Sequence, residues 1–163
     1  MLHRACAAAA LLGLVCLPVG AEDLGKISFG FDGKDHEWST ITRQAGGKTI
    51  ASARLTKTRL VNTMTIDAYE KQTDTRGAIL DVQLMYAASP DYGQPTSVGI
   101  IFFTSGTRGP VWQGRNERVE VQSHDLSGNV GQIKASFSAE MCFAGKLHAD
   151  PDEGRCRPIS GTI

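Results

Sequence analysis

Apolar and polar residues alternate in short runs along most of this chain, and glycine-rich turns separate the runs. The clearest alternation spans 132–141, where every second residue is apolar: Ile133, Ala135, Phe137, Ala139 and Met141. A period of two is typical of a strand with one buried and one solvated face. Similar alternation in 26–31, 60–69 and 78–87 predicts further strands, and the continuous apolar run 98–103 predicts a fully buried one.

Glycine and proline mark the turns between these runs. Gly46 and Gly47 follow a strand pattern and can adopt the positive φ of a hairpin turn. No segment keeps the 3.6-residue apolar period of a long amphipathic helix, although a short helix at 67–73 stays open. About nine strand candidates predict an all-β fold, an antiparallel β-sandwich with a closed antiparallel barrel as the alternative.

The first 21 residues have the composition of a secretory signal peptide. Arg4 provides a basic start, 5–17 carries no charge, and small residues at 19–21 precede the expected cleavage point. The apolar run is shorter than the roughly 20 residues that a membrane-spanning helix needs. We therefore expect 1–21 to be removed and 22–163 to form one exported domain, periplasmic or extracellular, without a membrane span. A lipoprotein anchor at Cys16 is the alternative, although the residues before it match that signal poorly.

The charge balance excludes nucleic acid as the expected partner. Removal of Arg4 leaves 16 basic and 17 acidic side chains. The exported domain therefore has no excess positive charge to attract a phosphate backbone or an anionic membrane. We predict an unknown protein or a small ligand as the partner, and no cofactor.

The four cysteines divide two and two at the predicted cleavage point. Cys6 and Cys16 lie in the signal peptide, so Cys142 and Cys156 remain in the exported domain. In an oxidising compartment each of the two has one intramolecular partner. We predict a disulfide between them that closes the irregular loop 143–155 and contributes about 3 kcal/mol in the chain-entropy model.

The C-terminal segment carries a recognisable pattern. GQIKASFSAEMC (131–142) is followed by Cys156 and then by PISGTI (158–163). This stretch resembles the C-terminal hairpin of small exported bacterial β-sandwich proteins of unassigned function, in which a G-x-F-S-A strand, a variable loop and an I-x-G-x-F strand follow one another. The resemblance covers roughly the last 36 residues and implies a fold but no activity. This chain departs from it by ending at Ile163, which makes the last strand short.

Four potential metal ligands crowd the predicted cysteine loop: His148, Asp150, Asp152 and Glu153. Alternating oxygen ligands suit calcium, and an imidazole suits zinc. The calcium-loop pattern is broken, however, because Glu153 stands where that pattern needs glycine. A solvated acidic loop is therefore the main interpretation, and a metal site is the alternative.

Candidate acid–base residues are few and scattered. His36 follows Asp35, and His124 precedes Asp125, but adjacency along the chain is not the geometry of a catalytic triad. Neither the G-x-S-x-G elbow nor the H-E-x-x-H motif is present. We expect surface histidines, with an enzyme built from these four residues as the alternative.

The turn-rich segments are the remaining places for function. Trp112 and Arg108 lie in or beside the glycine-rich segment 105–112, and Tyr92 lies in the loop 89–95. Loops on a rigid sheet scaffold often carry binding residues, although Trp112 also suits a core position. The hypothesis is an exported, non-catalytic domain that binds a partner or ligand. An apolar cavity inside a barrel would instead favour a carrier of lipids or small molecules.

Overall fold

The computed structural model describes residues 22–88, 92–126 and 131–163. The prediction of an all-β antiparallel fold is confirmed, because these residues form ten antiparallel strands and no helix. None of the described segments is a helix that could cross a membrane. The strands are β1 (Glu22–Phe31), β2 (Lys34–Ala45), β3 (Lys48–Ala51), β4 (Ala53–Lys57), β5 (Val61–Tyr69), β6 (Ile79–Ala87), β7 (Ser97–Phe103), β8 (Val111–Asp125), β9 (Gln132–Ala144) and β10 (Asp152–Thr162).

All ten strands belong to one sheet that curls back on itself. The strand order is β3-β2-β1-β10-β9-β8-β7-β6-β5-β4, and β2 also pairs with β5. That last pairing joins Ser39 to Tyr69 and closes a ring of eight strands, from which β3 and β4 branch. Neighbouring strands in a sheet are rotated relative to one another, and accumulated rotation brings distant strands together.

Side chains from opposite walls fill the interior of this ring. Trp38 on β2 and Phe31 on β1 both contact Phe102 on β7, with ring centroids 5.5 and 5.1 Å apart. Three strands separate β1 from β7 in the sheet, so these contacts cross the interior rather than follow the sheet. The inner faces therefore pack on each other as the two layers of a sandwich do.

Gly161 allows the last strand to fit beneath the core aromatics. It lies opposite Phe29 on β1 and opposite Phe137 on β9. A Cβ atom at this position would lie 2.7 Å from Phe29 Cβ and 2.8 Å from Phe137 Cζ, and it would also press on the Ser28 carbonyl oxygen. Aromatic rings that cover a cross-strand glycine are a known stabilising device in sheets. The glycine of the PISGTI segment thus has a packing role.

The structure differs from the sequence-based boundaries in three strands. The returning strand expected after the Gly46–Gly47 hairpin turn is split at Ser52 into β3 and β4. β8 extends over 15 residues, although 111–125 shows no continuous alternation of apolar and polar residues. A bulge between Arg115 and Arg118, with Asn116 at a φ of 53°, shifts the inward-facing positions and hides the alternation. β7 is only partly buried, because it pairs with β8 over three residues.

The remaining sequence-based predictions concern a short helix, a hairpin turn and segments outside the described residues. The short helix open at 67–73 does not form, because β5 continues to Tyr69 and a turn follows. Gly46 and Gly47 have φ values of 59° and 74°, which confirms the predicted turn. The predicted signal peptide at 1–21 and the first part of the predicted loop 89–95 lie outside the described residues.

The predicted disulfide between Cys142 and Cys156 is present. The two cysteines lie directly opposite each other on β9 and β10, with Cα atoms 4.0 Å apart. The irregular loop is shorter than predicted, since both strands extend past the cysteines and leave only 145–151 between them. Leu147 and Ala149 in this loop pack on a small outer cluster that includes Ile79 and Phe103. A disulfide is compatible with an oxidising, exported location.

Candidate binding site at a strand fork

The closure of the ring is incomplete, and the gap forms a fork. Beyond the Ser39–Tyr69 pair, toward the end of β2 at Ala45 and the start of β5 at Val61, the two strands separate. In this region β3 pairs with residues 42–45 of β2, and β4 pairs with residues 62–66 of β5. β3 and β4 are consecutive, so they form a V with Ser52 at its apex, and this apex occupies the fork between β2 and β5.

Ser52 satisfies the backbone groups that the separation would otherwise leave unpaired. Its N–H donates to the Ile41 carbonyl at 2.9 Å, and its hydroxyl oxygen accepts a hydrogen bond from the Ile41 N–H at 2.8 Å. Its carbonyl oxygen accepts from the Asp67 N–H at 2.9 Å. Buried backbone groups need such partners. Ser52 is itself buried, so its small hydroxyl side chain suits the apex.

We expect Ser52→Ala to lower the free energy of unfolding by about 1–3 kcal/mol, because the Ile41 N–H would lose its acceptor inside the protein. Urea unfolding measures this loss as a lower midpoint. Ser138→Ala, at an exposed position of β9, is the matched control and should change stability by less than about 0.5 kcal/mol. Equal midpoints for the two variants would contradict the role of the Ser52 hydroxyl.

A small pocket lies on the solvent side of this apex. Its volume is about 80 Å³, well below the roughly 300–1,000 Å³ of sites that enclose a whole small molecule. It can therefore accommodate one small chemical group rather than a complete ligand. We call it the fork pocket, and its lining residues are Ile41, Arg43, Ile50, Ala51, Ser52, Arg54, Asp67 and Tyr69.

The lining of the fork pocket contains more positively than negatively charged side chains. Arg43 and Arg54 bring two guanidinium groups, and Asp67 is the acidic residue of the lining. Arg54 Nη1 lies 3.4 Å from Asp67 Oδ2, and the Arg54 side chain stays 54% exposed. Arg43 is exposed, and its guanidinium lies 3.5 Å from the Thr75 hydroxyl. The lining thus retains positive charge that Asp67 does not neutralise.

A second aspartate adjoins the pocket from β6. Asp81 lies directly opposite Asp67 in the β5–β6 register. It is only 9% exposed, and its Oδ1 atom has no hydrogen-bond partner among the described residues. A buried carboxyl without full hydrogen bonding is costly in its charged form. Asp81 therefore favours the protonated form.

Burial and the contact with Asp67 both favour a proton on Asp81. Burial, a hydrogen bond with Asp67 and the negative charge of Asp67 raise the pKa of Asp81 to about 7, against a smaller lowering by Gln83 and Arg54. Burial also raises the pKa of the Tyr69 phenol. Protonation of Asp81 removes one negative charge from beside Asp67, whose Oδ2 atom lies 3.4 Å from Arg54 Nη1.

A second cleft, of about 160 Å³, lies beside β8. Its lining includes Tyr92, Gln94, Val121 and His124. The Gln94 amide donates to the Val121 carbonyl at 3.1 Å and accepts from the Val121 N–H at 3.0 Å, as a neighbouring strand would. This lining contains no arginine, lysine, aspartate or glutamate, so the fork pocket is the stronger candidate for recognition of an ion.

The residues considered for a metal site do not form one group. Asp152 Oδ1 accepts a hydrogen bond from the Gly154 N–H, and Glu153 forms an ion pair with Arg115 at 3.0 Å. His148 and Asp150 are exposed in the loop. Within the described residues, a group of three potential ligands occurs at Glu140, Cys142 and Cys156, but the disulfide removes both thiolates. A metal role for the loop stays a prediction.

The histidines lie in separate surroundings. His36 stacks on Phe29, with centroids 4.8 Å apart, and meets Trp38 edge-on. His124 is exposed, and its ring lies 6.1 Å from that of Tyr92. Asp35 lies opposite Gly30 in the β1–β2 hairpin, and Asp125 ends β8 beside His124. The predicted acid–base pairs Asp35–His36 and His124–Asp125 therefore lie apart, because each histidine contacts a different set of aromatic rings.

The three predicted binding residues have different environments. Trp112 lies in β8 rather than in a loop, half-buried between Phe31 and Phe143. Tyr92 is buried against Tyr86. Arg108 is exposed in the turn between β7 and β8. Packing accounts for the two aromatic residues, so Arg108 alone remains a freely accessible candidate.

No protein-family model, no curated protein and no solved structure matches this chain. The resemblance of the C-terminal hairpin to exported β-sandwich proteins therefore stays a prediction. Function has to be argued from the fork pocket itself.

Proposed function

We propose that this chain is an exported, non-catalytic binding domain that recognises a small anionic group of a ligand or partner in the fork pocket. The observation that carries the proposal is the excess of guanidinium groups in a concave site: Arg43 and Arg54 both line the pocket, and Asp67 is the acidic member of the lining. Guanidinium groups present donors in a planar fork that matches the oxygens of carboxylates and phosphates.

The pocket also has walls suited to a group with an apolar stem. Ile50 is 42% exposed and lies beside Ile41 and the half-buried Tyr69. A carboxylate or phosphate at the end of a larger molecule could contact the arginines while its stem covers Ile50. The small volume supports recognition of such an end group, with the rest of the molecule outside the pocket.

Two rival functions are less well supported. A carrier needs a cavity inside the ring, but contacts such as Trp38–Phe102 fill that interior. An enzyme could use the Asp67–Asp81 pair, because two carboxyls that share a proton can act as acid and base. Asp81 is buried and is absent from the described pocket lining, whereas Asp67 is part of it. Binding is therefore the function that this geometry favours.

The test is a titration of the oxidised protein with sodium acetate and with sodium sulfate at constant ionic strength, followed by backbone amide shifts in NMR spectra. We expect saturable shifts at the apex around Ser52 and Arg54, with dissociation constants on the order of 1 mM. Arg43→Gln and Arg54→Gln should each weaken binding about 10-fold, which corresponds to about 1.4 kcal/mol.

Arg108→Gln is the matched control, because Arg108 is an exposed arginine of a different turn. It should leave both dissociation constants unchanged. Shifts that persist in the Arg43 and Arg54 variants would contradict the proposed site. Shifts confined to the turn 104–110 and lost in Arg108→Gln would place anion recognition there instead.

A further inference from the structure

We infer that the fork pocket takes up its anion together with a proton, which is held between Asp67 and Asp81. This inference rests on the proposed function, because it concerns the regulation of the same pocket. The ligand class is a carboxylate or another oxyanion, and the proton-holding pair lies directly behind the arginine that contacts it. The geometry of three side chains carries the argument.

Asp67 links the pocket to the buried carboxyl. Its Oδ2 atom lies 3.4 Å from Arg54 Nη1, and its backbone position lies opposite Asp81. Arg54 is therefore shared between Asp67 and any anion in the pocket. Since the Asp67 side chain is 19% exposed, its charge is only partly screened by water. The charge state of the aspartate pair thus affects how strongly Arg54 attracts a second anion.

The Oδ1 atom of Asp81 has no hydrogen-bond partner among the described residues, so ionisation of this buried carboxyl is unfavourable. With one proton in the pair, one negative charge faces Arg54 and the buried carboxyl is neutral. Without that proton, two adjacent carboxylates compete for the same guanidinium, and one of them lies in a site with little water. An incoming anion would add a third negative charge, so it should bind more weakly to the doubly ionised pair.

Charged and titratable groups around Asp81 come from three strands. β4 contributes Arg54 and β5 contributes Asp67, which both act on Asp81, while Tyr69 on β5 interacts with Asp81 and with Arg43 of β2. β7, the other neighbour of β6, has no titratable side chain. Arginine stays charged at every relevant pH, and burial raises the pKa of Tyr69 further from neutrality. Asp81, beside Asp67, is therefore the group of this set whose pKa is raised to about 7.

One more element lies nearby. The loop 145–151 packs on Ile79, two residues before Asp81, through Leu147 and Ala149. Its titratable side chains, Lys146, His148 and Asp150, are all exposed. Histidine is the side chain commonly responsible for pH dependence near neutrality, so the experiment includes a variant without His148.

Thermodynamic linkage relates the affinity for the anion to the protonation of the aspartate pair. If the protonated pair favours anion binding, anion binding must favour protonation by the same factor. We expect sulfate, whose charge does not change between pH 5.5 and 8, to bind about 10-fold more tightly at pH 5.5 than at pH 8. Acetate should show the same ratio, since the effect comes from the protein and not from the anion.

The experiment is a calorimetric titration of the oxidised protein with sulfate and with acetate at both pH values. It is repeated at pH 7 in two buffers with different ionisation enthalpies, which reveals the protons taken up on binding. Asp81→Asn should bind with the pH 5.5 affinity at both pH values and take up no proton, because the amide is always neutral. His148→Gln should behave as the parent protein does.

The outcomes separate this inference from the proposed function. Binding that depends on Arg43 and Arg54 but is equal at both pH values, without proton uptake, would overturn the inference and leave the proposed function intact. Loss of the pH effect in His148→Gln would also overturn it. No arginine-dependent binding at either pH would refute the proposed function itself. Should Asp81→Asn fail to fold, the two-buffer measurement on the parent protein still decides the question.

Discussion

Gly161→Ala is expected to lower the free energy of unfolding by about 3 kcal/mol, the upper part of the range for overpacking a core. The new methyl group would overlap Phe29 Cβ, the Phe137 ring and the Ser28 carbonyl oxygen. The Phe137 ring tip can move, but a backbone carbonyl and a Cβ atom cannot yield without distorting β1. Gly161→Val should be worse, because two further carbons enter the same space.

Chemical unfolding monitored by tryptophan fluorescence measures this effect, since Trp38 lies in the core next to Phe29. Gly145→Ala is the matched control: a Cβ at Gly145 meets no atom within 4 Å. The control should change stability by less than about 0.5 kcal/mol. If both alanine variants unfold at the same denaturant concentration, the packing role of Gly161 is wrong.

Asp81→Asn is expected to stabilise the protein at pH 8, by up to about 4 kcal/mol, and to have little effect at pH 4. The carboxyl of Asp81 ionises near 3.8 in the unfolded chain, whereas burial and Asp67 raise its pKa to about 7 in the folded protein. Between these values the folded protein holds the extra proton, so its stability falls as the pH rises. A difference of about three pKa units corresponds to about 4 kcal/mol.

The asparagine variant avoids this loss because it stays neutral, and its amide can still donate to Asp67. Urea unfolding at pH 4, 6 and 8 should therefore give two stability curves that meet at low pH and diverge as the pH rises. Asp150→Asn, at an exposed position of the loop, is the control and should run parallel to the parent protein. A constant difference between Asp81→Asn and the parent across this range would contradict the assignment.

Much of the fold could be predicted from local patterns. The alternation in β9 and the glycine pair before β3 indicate a strand and a hairpin turn, and the structure has both. The disulfide could be predicted because an oxidising compartment was expected and because two cysteines follow the predicted signal peptide. β8 could not be predicted at its full length, because the bulge at Asn116 places successive apolar residues out of register with a period of two.

The candidate site shows the limits of such patterns more clearly. Asp67 and Asp81 are each an outward-facing polar residue in an alternating strand, which is the commonest reason for a carboxylate in a sheet. Nothing in either strand alone shows that the two face each other. Ser52 is likewise an ordinary serine within a strand pattern until the hydrogen bonds to Ile41 and Asp67 give it a place in the fork.

What the sequence by itself determined is therefore the set of local preferences: antiparallel strands, the turns between them and the pairing of Cys142 with Cys156. These depend on side-chain periodicity, backbone freedom and thiol chemistry, all of which act over short distances or by elimination. Only the tertiary structure decided that the sheet closes between β2 and β5, and that this closure leaves a fork. Strand register and ring closure join residues that local patterns cannot relate, so the contact of Asp67 with Asp81, which raises the pKa of Asp81, exists only once the sheet has folded.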